Sequence, residues 1–359
     1  MIPCFRQREW LQESIYHVLA LPLPERELIA RLRGHVLRRG GRARPHTGPS
    51  ASILVGIGDD ASVLRVPEGR DLLCTTDFSL EGVHFRRDWH PPESVGHRCL
   101  ARGLSDIAAM GGDPLAAFLS LALPAKLPQN WVDGFLKGFL SLAKRFNVPL
   151  AGGDTAESLA GVLADIVVLG SVRHSPPSRK SGGKWGAAVL RSGARAGDRI
   201  FVSGQLGGSA AALALLRSGK RLNPKDFPGH FFPEPRIEVG QALREKRIAT
   251  SMIDLSDGLS TDLSHLCEQS DLGAEIWEDS IPQATMGKGR QVALECALHG
   301  GEDYELLFTT RPKTRVPSKI AGVQITEIGE ITRGRQIILR KASGATATLE
   351  PRGWEHFRS

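Results

Sequence analysis

The sequence predicts an α/β chain folded as two domains, on three observations. Its 359 residues exceed what one hydrophobic core usually organises. Short apolar runs of strand length alternate with segments whose apolar residues recur at helical spacing. Near the middle, residues 175–186 gather two prolines, three glycines and three basic residues, the composition of a linker. The expected division is an extension over 1–24, an N-terminal domain over 25–174, a basic linker over 175–190 and a C-terminal domain over 191–359.

Residues 1–21 carry weak helical character. Residues 25–36 place Leu28, Ile29, Leu32 and Val36 at helical spacing, and a Gly-, Arg- and Pro-rich loop follows over 40–50. Residues 53–55 form a short strand that runs into Gly56, Gly58 and the adjacent carboxylates Asp59 and Asp60. Apolar pattern resumes at Val63, so taken alone this is an acidic hairpin turn. Leu72, Leu73 and Cys74 form a strand ending in Thr75-Thr76-Asp77. Residues 94–110 read as a helix with Val95, Cys99, Gly103, Ile107 and Met110 on one arc and Asp106 inside that arc. A carboxylate on a buried face needs a partner. An arginine such as Arg98 or Arg102 is one candidate; metal or metal-bound water is the other. Gly111, Gly112 and Pro114 stop the helix.

A buried strand is expected over 117–123. An amphipathic helix over 130–146 turns Trp131, Phe135, Leu136, Phe139, Leu142 and Ala143 inward. A strand over 148–151 stops at Gly152-Gly153-Asp154-Thr155, and another covers 163–172. In the second half, a strand over 199–203 meets a glycine turn over 204–208 and a helix from Ser209. Such a turn can cradle a phosphate at the helix N-terminus, or simply join strand to helix. Pro233, Pro235 and Arg236 lead into a further helix. Asp254-Leu255-Ser256-Asp257-Gly258 joins a strand to a helix bearing Leu259, Leu263, Leu266 and Cys267. Gly301-Glu302-Asp303-Tyr304-Glu305 precedes a strand over 306–309, and short strands and a tail with Trp354 close the chain.

Composition narrows the functional classes. Hydrophobic residues are 41% and charged residues 24%, an ordinary globular balance. Net charge is +7, but aromatics are only 6% with two tyrosines, so no basic–aromatic platform for stacking bases is expected. The surplus suits a small anionic substrate, and six of the arginines lie together in 31–44, the pattern of a solvated edge. Five cysteines without a CxxC indicate neither a disulfide framework nor a zinc site, which fits reduced thiols in a cytoplasmic protein. Residues 1–21 are charged and lack the apolar core of a signal peptide; the longest apolar run, 115–123, is too short to span a bilayer.

No GxxxxGK[ST], GxSxG or HExxH occurs, and the protein-kinase motifs are absent. What remains is a series of carboxylates, Asp60, Asp77, Asp106, Asp154, Asp254 and Asp257, each within two residues of Gly, Ser or Thr at the edge of an apolar segment. Hard oxygen donors of this kind bind Mg²⁺, which prefers a few carboxylates with water and substrate phosphates. The chemistry points to a metal-dependent nucleotide enzyme.

Seven motifs carry a more specific resemblance: Gly58-Asp59-Asp60, Thr75-Thr76-Asp77, Glu81-Gly82-Val83-His84-Phe85, Leu104-Ser105-Asp106-Ile107-Ala108-Ala109-Met110-Gly111, Gly152-Gly153-Asp154-Thr155, Asp254-Leu255-Ser256-Asp257-Gly258 and Gly301-Glu302-Asp303-Tyr304-Glu305-Leu306. In that order, over about 25–357, they resemble the thiamine-monophosphate kinase family of the aminoimidazole ribonucleotide synthetase-like ATP-binding superfamily. The resemblance implies two α/β (α+β) domains, each a mixed sheet with helices on one face, and a homodimer closed through N-domain strands. It implies ATP and thiamine monophosphate as substrates, several Mg²⁺ ions, and direct in-line transfer without a phospho-enzyme or a catalytic side chain. On the matching positions, Asp60, Thr75, Thr76, Asp77, Asp106, Asp154, Asp254 and Asp257 would surround metal. Gly153, Asp154, Arg191 and Ser256 would contact ATP, and His84, Glu302 and Trp354 the thiamine phosphate, with ATP among the aspartates rather than at the tail.

Three features depart from the family pattern. Gly103 stands where Asn usually precedes Leu-Ser-Asp, the stretch between Val172 and Arg191 is long and basic, and the first 20 residues have no counterpart. Plain structural roles are the competing readings: Asp254 or Asp257 as helix caps, Thr75 and Thr76 as strand residues, Trp354 as packing. The rival functions are another enzyme of the superfamily, aminoimidazole ribonucleotide synthetase or selenophosphate synthetase, and a non-catalytic nucleotide-binding regulator. Cys4 lacks the surroundings of a reactive selenophosphate-synthetase cysteine.

Overall fold

A computed structural model describes residues 52–57, 61–173, 188–286 and 289–354, together with Glu27, Arg31 and Gly34, which are helical. Four expectations lie outside the described residues: the extension, the 40–50 loop, most of the basic linker, and the Asp59–Asp60 pair. The chain begins with a small antiparallel hairpin of β1 (Ser52–Val55) and β2 (Val63–Arg65).

The N-terminal sheet contains β3 (Arg70–Leu80), β4 (Asp113–Pro124), β5 (Leu150–Ser158) and β6 (Leu163–Arg173) in the order β3-β6-β4-β5. It is mixed: β4 and β5 run parallel and the other pairs antiparallel. β3 and β5 are both longer than their apolar runs predict. β3 pairs with β6 over its whole length, from Arg70 opposite Arg173 to Leu80 opposite Leu163, so Thr75, Thr76 and Asp77 lie inside a strand rather than at its end. β5 likewise continues through Gly152-Gly153-Asp154-Thr155 because β4 runs beside it. A Cβ at Gly153 would stand 1.9 Å from the Leu119 carbonyl oxygen, so the close approach of those two strands requires glycine.

Helix α1 (Pro92–Ala109) lies on this sheet, and α2 (Gln129–Arg145) packs on α1. The two helices meet at glycines: a Cβ on Gly96 would meet the Phe135 carbonyl oxygen at 1.9 Å, and one on Gly138 the Glu93 carbonyl oxygen at 1.9 Å. The inward residues predicted for α2 are all buried. The opposite sheet face carries Leu72, 51% exposed, and Phe78, 54% exposed.

The C-terminal half builds a second mixed sheet from β7 (Arg199–Ser203), β8 (Ser251–Asp254), β9 (Gly273–Trp277), β12 (Leu306–Thr310), β14 (Val323–Thr332), β15 (Ile337–Arg340) and β16 (Thr346–Thr348), with β13 (Lys319–Ile320) on β14. Its order is β16-β15-β9-β14-β7-β12-β8, with β15 parallel to β9. A separate pair is formed by β10 (Thr285–Met286) and β11 (Arg290–Gln291). The helices are α3 (Gly208–Arg217), α4 (Pro228–Phe231), α5 (Ile237–Glu245), α6 (Leu259–Ser270) and α7 (Leu294–His299). No helix of the described residues is long and apolar enough to cross a membrane.

α1 is the element on which both halves meet. It touches β3 and β6 on one side and β8 and α5 on the other. One continuous core accordingly holds Leu104, Ile107 and Val168 together with Phe201, Met252 and Phe308. Gly103 sits in that contact. A Cβ there would meet Val168 Cγ2 at 2.6 Å, so the glycine lets α1 seat against β6. Gly103→Asn should therefore destabilise the chain by about 1–3 kcal/mol through overpacking. Urea unfolding checks this, and wild-type stability in the variant would mean that β6 yields freely.

A candidate active site between the two halves

A string of polar contacts crosses the chain at α1. Ser105 and Asp106 are neighbours on this helix. The Thr75 hydroxyl of β3 donates to Asp106 Oδ2, and the Ser105 hydroxyl donates to Asp254 Oδ2 at 2.7 Å. Asp254 is the last residue of β8 and only 3% exposed. Two elements far apart in sequence thus deliver carboxylates to one place, and β3 adds a hydroxyl.

The electrostatics are those of buried, mutually repelling acids, which Arg191 offsets only in part at Asp106 and Asp254. Burial and the Asp106 charge push the Asp254 carboxyl up to about 7. Burial, then Asp106, pushes Asp77 up to about 7; Asp165 and Asp257 add to the repulsion and Arg102 opposes it. Asp106 is raised as well, by burial, against the help of its Thr75 hydrogen bond. Neither arginine considered as a partner for Asp106 bonds to it. Arg98 and Arg102 both reach across to Glu302 Oε1, at 2.6 and 2.8 Å.

The capping alternative fails for Asp254 and Asp257. The N-cap of α6 is Gly258, without a side-chain cap, and Asp262 accepts the Asp257 and Gly258 amides at 3.1 and 3.0 Å. The phosphate-cradle alternative for the glycine turn also fails: the Gly207 amide donates to Asp303 at 2.7 Å, with the Ser209 amide at 3.5 Å. A carboxylate already occupies the place a phosphate would take.

The second loop, 301–305, is laid directly on the first. Glu302 N donates to Ser256 O at 2.8 Å, and Tyr304 N to Leu255 O at 2.9 Å. Glu302 has φ +66°, a left-handed backbone that only strong local contacts hold for a residue with a Cβ. Burial works against the Glu302 carboxylate, and Arg98 with Arg102 outweighs it, holding it well below the usual range. His84 joins the same group, since Arg98 also donates to its carbonyl, while His84 Nδ1 accepts the Leu80 amide at 3.0 Å. Trp354 is 48% exposed and its amide donates to Asp257 O at 3.1 Å. The tail is therefore at the aspartate loop, not apart from it as the sequence order suggests.

Arg191 opens a short 3₁₀ turn beside a cavity of about 460 Å³, lined by Thr75, Asp106, Met110, Leu190 and Met252 among others. Three predicted residues do not join the cluster within one chain: Thr76, Asp154 and its β5 neighbour Gly153. Thr76 follows Thr75 on a strand, so its side chain takes the opposite, exposed face. Asp154 is exposed on β5, three strand steps from β3, about 14 Å at roughly 4.8 Å per step. Sequence reasoning missed Asp165. Its Oδ1 is buried without a hydrogen-bond partner among the described residues. The available signal was a lone acid in the otherwise apolar strand β6.

Among the described residues, no three His, Cys, Asp or Glu side chains close into a metal cage. Magnesium does not require one, because water and substrate phosphate complete its shell. The donor set fits such an ion, with raised carboxyls at Asp77, Asp106 and Asp254, whereas Asp165, paired with Phe78, lies on the other face of the sheet.

Known proteins resemble the chain over both halves. Residues 58–172 match the family model "AIR synthase related protein, N-terminal domain" and residues 195–341 its C-terminal domain. Thiamine-monophosphate kinase of Escherichia coli O157:H7 is 38% identical over 315 residues, covering 84% of this chain and 92% of that protein. The crystal structure of thiamine-monophosphate kinase from Stenotrophomonas maltophilia K279a is 32% identical with a TM-score of 0.72, covering 89% of this chain and 96% of that one. The structure of AaThiL complexed with AMPPCP and TMP is 29% identical with a TM-score of 0.69, covering 93% and 97%.

Proposed function

The chain belongs to the thiamine-monophosphate kinase family, and on that premise we propose that it transfers the γ-phosphate of ATP to thiamine monophosphate, giving thiamine diphosphate and ADP. The observation that carries this reading is the convergence of Asp77, Asp106 and Asp254 from β3, α1 and β8, each carboxyl raised by burial more than Arg102 or Arg191 lowers it. Several Mg²⁺ ions would supply positive charge there and neutralise the phosphates as the phosphoryl group moves in line. Asp60, Thr75, Asp77, Asp106, Asp254 and Asp257 would hold them, with Thr76 and Asp154 further out.

The chain's own residues then orient and enclose. Arg191, beside the 460 Å³ cavity, holds ATP with Ser256, and Gly153 and Asp154 of β5 would join them from a second copy of the chain. Glu302, fixed by two arginines, and His84 face the acceptor, and Trp354 offers its ring to the thiazolium and pyrimidine of thiamine. No phospho-enzyme intermediate is needed, because aligned phosphates react directly. The place of work is the cytoplasm, a reading supported by five cysteines without a CxxC. Purified protein with ATP and Mg²⁺ tests the reading: ADP release should require thiamine monophosphate. Equal ADP release without it would remove the assignment.

We also propose a homodimer. β3 is a long edge strand whose outer face shows Leu72 and Phe78, and long apolar edges invite pairing. A second copy on this face would also give the outlying Asp154 and Thr76 a place in a composite site. Light scattering at micromolar concentration should give twice the chain mass, and Phe78→Asp should reduce it to one. A monomeric wild type would count against the proposal.

A further inference from the structure

Arg98 and Arg102 lie one turn apart on α1 and donate to the same oxygen of Glu302. One carboxylate serves two guanidiniums, and arginine stays protonated. The two arginines are not equivalent. Arg98 is 4% exposed in its side chain, and it also donates to the carbonyls of His84 and His230, which makes it a strut. Arg102 is less enclosed, at 11%, and spans from the Phe78 carbonyl of β3, at 3.1 Å, to Glu302. Those two bonds engage two of its five N–H groups. It stands four residues, one helical turn, before Asp106, and the charge of Asp77 acts on it. Gly103 next to it sets the depth at which α1 seats on β6, and so the reach of Arg102.

We propose that Arg102 is a specificity-determining residue that takes the phosphate of the acceptor, so that the site selects phosphorylated over unphosphorylated thiamine. This rests on the kinase reading. Glu302 marks the acceptor side and Asp77 the side of metal and nucleotide, and an acceptor phosphate attacking the γ-phosphate must lie between them. A guanidinium there presents a planar fork that matches phosphate oxygens. The N–H groups of Arg102 beyond those bound to Phe78 and Glu302 are donors for phosphate oxygens.

Titration calorimetry of thiamine monophosphate and of thiamine against the wild type, Arg102→Ala and Arg102→Lys tests this. In Arg102→Ala the Kd for thiamine monophosphate should rise about ten- to a hundredfold, the loss of one charged hydrogen-bonded contact. The Kd for thiamine and the KM for ATP should stay within about twofold. Arg102→Lys, which keeps the charge and loses the fork, should recover part of the phosphate-dependent affinity. If both ligands weaken together, or neither does, Arg102 is only a clamp and the inference is overturned. A wild type that binds no thiamine monophosphate would instead sink the kinase reading itself, and this inference with it.

Discussion

Asp77→Asn should cut phosphoryl transfer at least about a hundredfold, the scale of removing one electrostatic contact from a transition state. The chain should nevertheless remain folded. The carboxyl of Asp77 sits at about 7, above its ordinary 3.8, because burial and the neighbouring acids disfavour its charge. Between those values the native state keeps a proton that the unfolded chain releases. Its contribution to stability therefore falls as pH rises toward and through 7. At pH 8 and without metal, an asparagine removes that repulsion, so the variant's Tm should equal or exceed that of the wild type. With Mg²⁺ the order should reverse, since the wild type gains a bound ion and the variant loses a ligand. Differential scanning fluorimetry at pH 8 with and without Mg²⁺, beside turnover at limiting Mg²⁺, reads both halves. Near wild-type turnover with an unchanged Mg²⁺ response would exclude Asp77 from the metal site.

Glu302→Ala should cost about 3–5 kcal/mol at pH 7, because it strands Arg98 and Arg102 without their carboxylate. Glu302→Gln should cost less, as its amide oxygen still accepts one guanidinium. The deficit has a pH signature. Two arginines hold the Glu302 carboxyl below its ordinary 4.5, so the stability it contributes is present above that value and fades as pH falls below it. The gap between wild type and Glu302→Ala should narrow on acidification below about 4.5. Urea titrations at pH 7 and pH 4 measure it. A variant as stable as the wild type at pH 7 would mean that the arginines find other partners, and that the two halves do not depend on this contact.

Local pattern determined much of this protein before any contact was known. Helical spacing located α1 and α2 to within two residues and identified the face of α2 that is buried, because periodicity is a property of neighbours along the chain. The acids beside Gly, Ser and Thr marked Asp77, Asp106 and Asp254 as candidates for the same reason. Tertiary structure decided what depends on distant partners. β3 and β5 extend beyond their apolar runs because β6 and β4 supply hydrogen bonds along their length. Arg98 and Arg102 turn from nearby Asp106 to Glu302, about 200 positions away, because α1 is wedged between the halves with those side chains aimed at the 301–305 loop. Asp165, unremarkable inside an apolar strand, adds its charge to the Asp77 cluster only once β6 lies beside β3. Thr76 parts from Thr75 by the pleat, and Asp154 from Asp77 by three strand steps. Residue type and spacing specify which groups are capable of the chemistry. Which of them meet is set by strand order and by the seat of one helix, and neither is encoded within any short stretch of the chain.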